Sequence, residues 1–424
     1  MVYVISQDGK QLMPCSEPVA RLLLKQGKAK VKKREPFTIK LTYETTDYTQ
    51  DLTLGVDTGS GTIGTAVSKD NGDIVYMSEV VVRNDITDKM IQRAKYRRNR
   101  RNRKTRYRKP RFLNRANSIK KDRFSSTMQS KLHSHAKEIE YIKSILPITK
   151  IVLETGQFNT HLMKNPSLAN PKVKYWGYQK GTNYGFENTK AMVLNRDNYT
   201  CQYCKGKHKD SKLEVHHIVF RSKGGSDEES NLITLCHTCH KDLHGGKINP
   251  ELSGKVKGNL KYATQMNSIR KQLFRLYPNT IETFGYITKA NRLHLGVDKE
   301  HYYDACTIAT QGNAFAVKSN LYKKKCVSDG DFQKTKGVRS EQPIVTDKIH
   351  GFRKFDKVRY FGNDYFIKGR MSTGYAILMD IDGNKADFSA MPKGYKTPKM
   401  ANLRRLEARS TWMITTVEVT PNIA

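Results

Sequence analysis

The sequence predicts an α/β core that is divided along the chain and interrupted by a small zinc-binding domain. Acidic residues end two apolar strands that lie far apart in the chain, at Asp57 and Glu154. Two Cys-x-x-Cys pairs follow the second strand, and a later helix carries His301 and Asp304. A basic segment and a β-rich C-terminal region complete the prediction. With 424 residues, the chain is long enough for roughly two to four domains.

The charge of the chain indicates a nucleic-acid partner. Lysine and arginine number 76 against 40 acidic residues, a formal net charge of +36 at pH 7. Such an excess repels itself in a compact protein unless a polyanion neutralises it, and nucleic acid is the common polyanion. An architectural protein of ribosomes or chromatin is the alternative that charge alone leaves open.

The cysteines favour a reducing compartment. Four of the seven form the two Cys-x-x-Cys pairs, and Cys15, Cys306 and Cys326 are scattered and odd in number. We therefore expect a cytoplasmic protein without a disulfide framework. We also expect no membrane association, because no apolar run approaches a membrane-spanning length and the N-terminus is not a secretory signal.

The first two segments are predicted to be rich in strands. Residues 1–50 form a small unit with one helix that stops at Gly27. In residues 51–83, a strand ends at Asp57, and a glycine-rich turn and two more strands follow. An acidic strand end beside glycines lets metal or phosphate approach the backbone. It resembles the start of RNase H-like nucleases and also that of sugar-kinase and actin-like ATPases, so the motif alone leaves both open.

Within residues 84–123, the stretch 89–123 holds the densest positive charge of the chain. Their composition favours a helix over 87–107, with Asp85 or Thr87 as its N-cap. Since like charges four residues apart destabilise an isolated helix, we expect order only where phosphates lie alongside it. A disordered basic tail is the alternative, but tails lie at chain ends and this segment does not.

Residues 124–158 supply the second acidic strand end. An amphipathic helix over 125–146, stopped by Pro147, precedes a buried strand that ends at Glu154. A lone glutamate is more often a surface residue. After an apolar strand, and paired with Asp57, it is predicted to be a metal ligand.

Residues 159–185 are predicted to be a linker rich in Asn, Lys, Gly and aromatic residues. Tyr175 and Trp176 stand out within it. They either stack on bases or anchor the linker, and the sequence does not decide between the two.

The cysteine pairs predict a zinc site. Four thiolates at this spacing can surround one tetrahedral zinc; they are Cys201, Cys204, Cys236 and Cys239. A hairpin followed by a helix would bring together the polar residues within and just after this stretch, which are His216, His217, Asn231 and His240. A purely structural zinc knuckle with incidental histidines is the alternative. A closed four-cysteine site needs no histidine, yet three cluster here.

The remaining segments complete the core and add a C-terminal domain. We expect a helix over 262–277, a strand over 284–288 and a helix capped by Asp298. His301 and Asp304 are three residues apart and share one face of that last helix. An ordinary surface pair is the alternative, which the preceding Asp and Glu strands disfavour. Residues 318–345 are predicted to be polar and loop-like, and short strands after them suggest a compact basic β-barrel to which the tail adds a last strand.

The stretch from Cys201 to His244 resembles the HNH nuclease module, the ββα-metal fold in its zinc-stapled form. By this resemblance, His217 is the general base that activates water, and His216 and His240 hold one catalytic Mg²⁺.

The same resemblance assigns supporting roles. Asn231 braces the loop that orients His217, and His244 replaces or supplements His240 as a ligand. Phe220 stands where the family usually has proline.

The whole chain resembles the IscB-type, transposon-encoded RNA-guided nucleases. Gln11-Leu12-Met13-Pro14 resembles their Pro-Leu-Met-Pro opening, and Arg97-Arg98-Asn99-Arg100-Arg101 matches their Arg-Arg-x-Arg-Arg motif. The resemblance implies an RNase H-like RuvC core with an inserted HNH domain, and the following division of the chain: an N-terminal domain at 1–50, RuvC-like segments at 51–83, 124–158 and 247–316, an Arg-rich bridge helix at 84–123, a linker at 159–185, the HNH domain at 186–246 and a small β-barrel-like C-terminal domain at 317–424.

The resemblance also implies two catalytic centres. In the RuvC-like centre, Asp57, Glu154 and Asp304 hold two Mg²⁺ ions, and His301 positions or deprotonates the attacking water. The HNH centre cuts the DNA strand paired to the guide, and the RuvC-like centre cuts the displaced strand.

The partners implied by the resemblance are a large structured guide RNA and double-stranded target DNA with a short flanking motif. The protein would be a prokaryotic, nucleoid-associated monomer with its RNA. The bridge residues expected to contact RNA are Arg97, Arg98, Arg100, Arg101, Arg103 and Arg106. Candidates for reading the flanking motif are Arg359, Lys368 and Arg370.

Two other functions remain open from the residues. A protein-only DNA endonuclease, such as a homing enzyme or a junction resolvase, would cut without RNA. A non-catalytic nucleic-acid binder or RNA chaperone is disfavoured by the complete sets of acids and histidines.

Overall fold

The computed structural model describes residues 1–101, 124–181, 183–221, 225, 227–248, 260–328, 332–334, 341–343 and 348–419. These residues form two compact units. The first comprises Met1–Gly156 and Gln265–Ala424, and the second comprises Gln157–Thr264. Among the described residues, no helix is both long and apolar enough to cross a lipid bilayer.

Residues 1–50 form a four-stranded sheet with one helix. In chain order the elements are β1 (Val2–Ile5), β2 (Gln11–Cys15), α1 (Glu17–Lys25), β3 (Ala29–Lys33) and β4 (Thr38–Leu41). The strand order is β2-β1-β4-β3. The helix ends where predicted, because Gly27 follows its C-cap with φ +70°, a left-handed conformation that favours glycine.

The next part of the first unit brings the two acidic strand ends together. Its elements are β5 (Leu52–Asp57), β6 (Thr62–Lys69), β7 (Asp73–Val81), α2 (Ile86–Arg101), α3 (Ser126–Lys143) and β8 (Lys150–Thr155). Strand β5 pairs antiparallel with β6 and parallel with β8. The predicted basic helix is present from Ile86 to Arg101, and the rest of the basic segment, with Arg103 and Arg106, lies outside the described residues.

The second unit contains three short helices, a hairpin and a closing helix. They are α4 (Thr160–Lys164), α5 (Pro171–Gly177), α6 (Thr189–Arg196), β9 (Leu213–His217), β10 (Leu232–Cys236) and α7 (His237–His244), with a short 3-10 helix at Pro166–Ala169. The hairpin followed by a helix is the arrangement predicted for residues 201–244.

The chain returns to the first unit within the next helix, at Gln265. Its elements are α8 (Lys261–Leu276), β11 (Ile281–Phe284), α9 (Gly285–His294), α10 (His301–Ala309), β12 (Ala316–Val317), β13 (Leu321–Cys326), β14 (Phe332–Lys334), β15 (Glu341–Pro343), β16 (Lys357–Tyr360), β17 (Asn363–Arg370), β18 (Ala376–Met379), β19 (Arg404–Glu407) and β20 (Trp412–Val417).

Eight of the described strands form one mixed sheet. Seven follow the order β11-β8-β5-β6-β7-β13-β20, and β12 also pairs with β7. Large apolar residues of β5 and β6 pack against α3 and α8 in one buried cluster, which includes Leu54, Ile63, Ile139 and Leu273. On the other side Ala66 packs with Ala305 and other residues of α10. The sheet is therefore covered by helices on both faces, and the chain is mixed α/β.

Two glycines let α10 lie directly on the sheet. A Cβ on Gly64 would lie 2.0 Å from the carbonyl oxygen of His301, and one on Gly55 would lie 2.5 Å from that of Ala305. Both distances are shorter than any side chain tolerates. The small residues thus fix how closely the helix with His301 and Asp304 approaches β5 and β6.

Two local predictions were wrong in the segment before α10. Residues 285–294 form helix α9, and the strand ends at Phe284. The β-branched Ile287 and Thr288 suggested a strand, but the buried Thr288 and Arg292 are four residues apart, the period of a helix face. Helix α10 begins after Glu300, without a side-chain cap, so Asp298 is not its N-cap.

The prediction of a polar loop over 318–345 was also wrong. Residues Leu321–Cys326 form β13 inside the central sheet, between β7 and β20. Lys324 is fully buried there, and its Nζ lies 2.8 Å from both carboxylate oxygens of Glu138 and 2.7 Å from the hydroxyl of Tyr76. An internal partner of opposite charge makes a buried lysine tolerable, and the sequence does not reveal that partner.

The C-terminal strands divide between two sheets. Strands β16 to β19 form an antiparallel sheet in the order β18-β17-β16-β19. Strand β20 pairs with β13 in the central sheet and not with this group, so the tail does not add the predicted last strand to a C-terminal barrel. Within residues 348–419, the recorded strand pairings form an open four-stranded sheet, not a closed barrel.

Candidate metal centres

The first candidate centre lies at the ends of β5 and β8. Asp57 and Glu154 are directly opposite each other in the parallel pairing of these strands. Neighbouring strands are about 4.8 Å apart, so the two carboxylates leave the sheet side by side. Strand β5 ends at Asp57 and β8 begins only at Lys150, so the two acidic residues are brought together by strand pairing and not by the local sequence.

Helix α10 delivers the other two predicted residues to the same place. Nδ1 of His301 lies 2.6 Å from Oδ2 of Asp57. Asp304, one turn further along the helix, lies 3.0 Å from Nε of Arg292 on α9. The structure thus gathers Asp57, Glu154, His301 and Asp304 into one group.

The acids of this group are crowded. Burial, followed by the negative charges of Asp57 and Asp304, raises the pKa of Glu154 to about 7. Burial and Asp57 also raise the pKa of Asp304. The hydrogen bond to Asp57 raises the pKa of His301. Two carboxyl groups whose ionised forms are disfavoured, next to the carboxylate of Asp57, form a place where a cation is favourable.

The donor set of the group fits a hard divalent cation. Its acids offer oxygen ligands, as Mg²⁺ prefers. Oε2 of Glu154 is buried and makes no close hydrogen bond among the described residues, although the nearby Thr288 hydroxyl lowers the pKa of this carboxyl. A buried, unpaired carboxylate oxygen is costly unless a positive charge satisfies it.

The second unit contains a four-cysteine cluster. One ligand atom from each of Cys201, Cys204, Cys236 and Cys239 lies within 4.8 Å of the others, and all four residues are buried. The Sγ atoms of Cys204 and Cys236 are 3.8 Å apart. A tetrahedron with zinc–sulfur bonds of about 2.3 Å has edges of about 3.8 Å. The cluster is therefore compatible with a closed structural zinc site.

A histidine cluster lies in the same unit. Ligand nitrogens of His216, His240 and His244 lie within 4.8 Å of one another. His216 comes from β9, while His240 and His244 are four residues apart on one face of α7. Burial and then the neighbouring histidines lower the pKa of His216 to about 4, so its imidazole is neutral, as a metal ligand must be. Three imidazoles suit a transition metal or, with added waters, another divalent ion.

His217 points away from this cluster. It follows His216 on β9, where successive side chains alternate between faces. Its Nε2 lies 2.7 Å from Oδ1 of Asp227, which leaves Nδ1 for a proton from another molecule. Asn231 holds the turn after β9, since its side chain accepts from the backbone N–H of Val219 at 2.8 Å and donates to the carbonyl of the same residue at 3.0 Å.

Two families match parts of this chain. Residues 2–181 match a family described as RRXRR protein, and residues 201–246 match one described as HNH endonuclease. The second match shows that the chain contains an HNH endonuclease domain at residues 201–246. The cysteine and histidine clusters both fall inside the matched residues. The HNH domain is that of a metal-dependent DNA endonuclease.

Two curated proteins resemble a short part of the chain. The type IV methyl-directed restriction enzyme EcoKMcrA of Escherichia coli (strain K12) is 37% identical over 70 residues, which are 15% of this chain and 25% of that protein. Anaredoxin of Nostoc sp. (strain PCC 7120 / SAG 25.82 / UTEX 2576) is 37% identical over 65 residues, 15% of this chain and 83% of that protein. The chain thus spans a quarter of the restriction enzyme and most of the smaller protein.

Two solved structures resemble a larger part of the chain at low similarity. Streptococcus thermophilus Cas9 in complex with the AGAA PAM has a TM-score of 0.33 and 14% identity, and the match covers 57% of this chain and 32% of that one. The same protein in complex with AGGA PAM has a TM-score of 0.30 and 12% identity, with coverage of 52% and 31%. The chain spans about a third of that protein's length.

Sequence reasoning missed residues that orient the histidines of the HNH domain. Oε2 of Glu214 lies 2.7 Å from Nδ1 of His240, which leaves Nε2 of that ring for a metal. Hydrogen bonds from Lys212 and His237 lower the pKa of Glu214 to about 2. A signal was present, because Glu214 and His216 are two residues apart on β9 and share a face. Asp227 had no such signal, since it lies in a turn.

Some of the residues predicted to contact nucleic acid lie within the described part of the chain. Arg97 and Arg98 lie on α2, whereas the side chains of Arg100 and Arg101 lie outside what is described. The three residues proposed to read a flanking motif all contact their own domain. Arg359 pairs with Asp364, Lys368 donates to the carbonyl of Gly383, and Arg370 donates to that of Phe352.

Proposed function

We propose that the chain is an RNA-guided DNA endonuclease of the IscB type, with a RuvC-like centre in the first unit and an HNH centre in the second. One observation carries the proposal. The ends of two neighbouring strands bring Asp57 and Glu154 together, and His301 contacts Asp57 there, although the three residues are far apart in sequence. The same chain also has an HNH domain. The match to the RRXRR family supports it, because residues 2–181 include Asp57, Glu154 and the Arg97–Arg101 motif.

In the first unit, Asp57, Glu154 and Asp304 would hold divalent metal. Two bound Mg²⁺ ions supply stabilisation of the attacking and leaving oxygens of an in-line displacement. His301 is oriented by Asp57 through Nδ1, so its Nε2 is available to position a water molecule and accept its proton. The Asp304–Arg292 ion pair holds that carboxylate in place on α10.

In the HNH domain, His216 and His240 would hold one Mg²⁺, with His244 as a third ligand. A bound divalent ion supplies stabilisation of the leaving oxygen. His217 takes the proton of the attacking water at Nδ1, while Asp227 and the turn braced by Asn231 keep its ring in place. The four-cysteine zinc site holds the hairpin and α7 together.

The proposed partners are a structured guide RNA and double-stranded DNA. The +36 charge and the arginines of α2 suit a long polyanion. We assign the bridge to 84–123, the linker to 159–185, the HNH domain to 186–246 and recognition of a flanking motif to the sheet of β16 to β19. The protein would work as a monomer with its RNA, the HNH centre cutting the guide-paired strand and the RuvC-like centre the other.

Paired variants test this division of labour. Asp57→Ala should abolish cutting of the displaced strand and keep cutting of the guide-paired strand, and His217→Ala should do the reverse. The measurement uses a target duplex with differently labelled strands and the protein purified with its RNA. Loss of both cuts in Asp57→Ala would refute separate centres. Unchanged, sequence-directed cutting after removal of RNA would favour a protein-only endonuclease.

A further inference from the structure

The segment before the HNH domain exposes an unusual number of aromatic rings. Tyr175 is 84% exposed, Trp176 is 57% exposed and Tyr184 is 61% exposed, and Tyr178 and Phe186 are also exposed. We call these five side chains the aromatic surface. The rings of Trp176 and Tyr184 both lie within about 5 Å of Lys180 and are therefore near each other. Neighbouring exposed apolar groups can mark a binding surface.

This surface stands on an ordered scaffold. Asn159, Asn165 and Asn170 cap α4, the 3-10 helix and α5, each accepting from a backbone N–H of its helix. Leu168 is buried at the centre, and a Cβ on Gly177 would lie 2.1 Å from its Cδ2. The close contact fixes the end of α5. Rings held on such a scaffold lose little conformational freedom when a ligand stacks on them.

The charge around the rings is positive. Residues 157–186 contain four lysines and no acidic residue. Nζ of Lys180 lies 4.9 Å from the ring centre of Trp176 and 5.0 Å from that of Tyr184. Flat rings next to ammonium groups match the two parts of an unpaired nucleotide, its base and its phosphate.

We propose that the aromatic surface binds single-stranded DNA by base stacking. Base pairs in a duplex already stack on each other, so exposed rings favour unpaired nucleotides. DNA is favoured over RNA because the surface belongs to the same compact unit as the HNH domain, which acts on DNA. A neutral or basic protein partner does not match a lysine-rich, acid-free surface. The inference goes beyond the proposed function, since it requires no guide RNA.

Tryptophan fluorescence provides a site-specific test in the full-length protein. The chain has two tryptophans, and Trp412 is buried in the first unit, so quenching by a ligand reports on Trp176. An oligothymidylate of about 12 nucleotides is added in about 0.5 M salt, where phosphate contacts elsewhere are weakened. We expect saturable quenching in the wild type. An abasic oligonucleotide of the same length should not quench.

Variants distinguish the loss of base stacking from the loss of the tryptophan fluorescence signal. Tyr175→Ala combined with Trp176→Ala should weaken oligothymidylate binding, measured by anisotropy, by about 5- to 150-fold for each stacked base lost. Trp176→Phe should lose the quenching and keep most of the affinity. Tyr48→Ala removes a ring that is 91% exposed in the first unit, and it should change neither.

Three outcomes would overturn the proposal. These are absence of quenching, equal quenching by the abasic oligonucleotide, and tighter binding of oligouridylate than of oligothymidylate, which would assign the surface to RNA. Because none of these measurements involves cleavage or guide RNA, they are independent of the proposed endonuclease function.

Discussion

The two candidate metal centres are built in opposite ways. The centre of the first unit takes Asp57, Glu154, His301 and Asp304 from three distant parts of the chain, and a whole sheet must form to assemble it. The histidine centre takes its residues from one short stretch, residues 216–244. This stretch belongs to a domain whose four cysteines can together bind one zinc ion. One site depends on long-range packing, and the other depends on a metal.

Their electrostatics differ as well. Burial, and after it neighbouring like charges, raises the pKa of Glu154 in the first centre and lowers the pKa of His216 in the second. In the carboxylate group, repulsion between anions is relieved by a bound cation. In the histidine group, burial keeps a ligand neutral before any cation arrives. In each centre, the ionised form of a proposed metal ligand is therefore disfavoured before a metal binds. This form is the carboxylate of Glu154 in the first centre and the imidazolium of His216 in the second.

Removal of the zinc site should have the largest effect of the changes proposed. It should affect the second unit and leave the first unit unchanged. Cys236→Ser with Cys239→Ser should unfold the hairpin and α7, because structural zinc contributes about 10–16 kcal/mol to such small domains. We expect cutting by the HNH domain to fall at least about 100-fold. Bound zinc and strand-specific nicking are the measurements. Cys15→Ser, a cysteine of the first unit, is the control.

The first unit should be unaffected by that change. In a Trp176→Phe background, the fluorescence of Trp412 reports urea unfolding of the first unit alone. Its midpoint should match that of the unaltered protein. If the midpoint falls with zinc content, the two units do not fold independently, and the contrast between their centres is wrong.

Gly64→Ala should impair the centre of the first unit and leave the HNH domain active. The new Cβ would lie 2.0 Å from the carbonyl oxygen of His301, so α10 must shift and separate His301 from Asp57. A misplacement of about 1 Å at a catalytic group can cost about 100-fold in rate. We expect a loss of that order for the displaced strand, with HNH nicking retained.

Gly61→Ala is the matched control for this helix shift. It adds the same methyl group beside the same strand, but at a position with no atom within 4 Å. Equal losses in both variants would show that the close approach of α10 to β6 is not what assembles the centre.

Local patterns predicted most of the site-bearing elements. Strand alternation places Asp57 at the end of β5, and two-residue spacing places the cysteines around one point. The match between residues 201–246 and the HNH endonucleases confirms the nuclease module that the histidines and cysteines suggested. These features succeed because a few neighbouring residues determine them.

Long-range packing explains what the sequence did not show. Lys324 looks like part of an exposed basic run, and only Glu138 on α3 makes its burial in β13 possible. Residues 284–288 were predicted to be a strand, but Gly285–His294 form a helix. Glu214 and Asp227 orient histidines through contacts that depend on the folded hairpin and its turn. Lys324 shows this most clearly, because a partner distant in sequence overrides its local preference.

Glu214→Ala should weaken metal binding in the HNH domain without unfolding it. It removes the carboxylate 2.7 Å from Nδ1 of His240, and loss of such an orienting group typically costs 10- to 100-fold in metal affinity. The measurement is the Mg²⁺ concentration that half-saturates HNH nicking. Lys212→Ala removes a neighbour of Glu214 but not the contact to His240, so it should change this value much less. A comparable shift in both variants would assign the effect to charge rather than to ring orientation.

The smallest effect concerns how acid weakens the first unit. His135 on α3 is fully buried, with Nδ1 2.8 Å from the carbonyl oxygen of Lys131 and no partner for Nε2 among the described residues. Burial lowers the pKa of His135 to about 4, below the value of about 6.5 in an unfolded chain. The unfolded state therefore binds more protons between these values, and stability is present above about pH 6.5 and is lost as the pH falls toward 4.

This titration predicts a loss of about 1.4 kcal/mol in the unfolding free energy of the first unit between pH 8 and pH 5.5. In the Trp176→Phe background, urea unfolding of His135→Gln should lack that contribution, whatever its stability at pH 8. His133→Gln, at an exposed position of the same helix, should retain it. If the change in stability over this range is equal in the three proteins, His135 is not the source of this acid sensitivity. The carboxylate centre is not an alternative source, because the raised pKa of Glu154 lets the native state bind more protons and stabilises it as the pH falls.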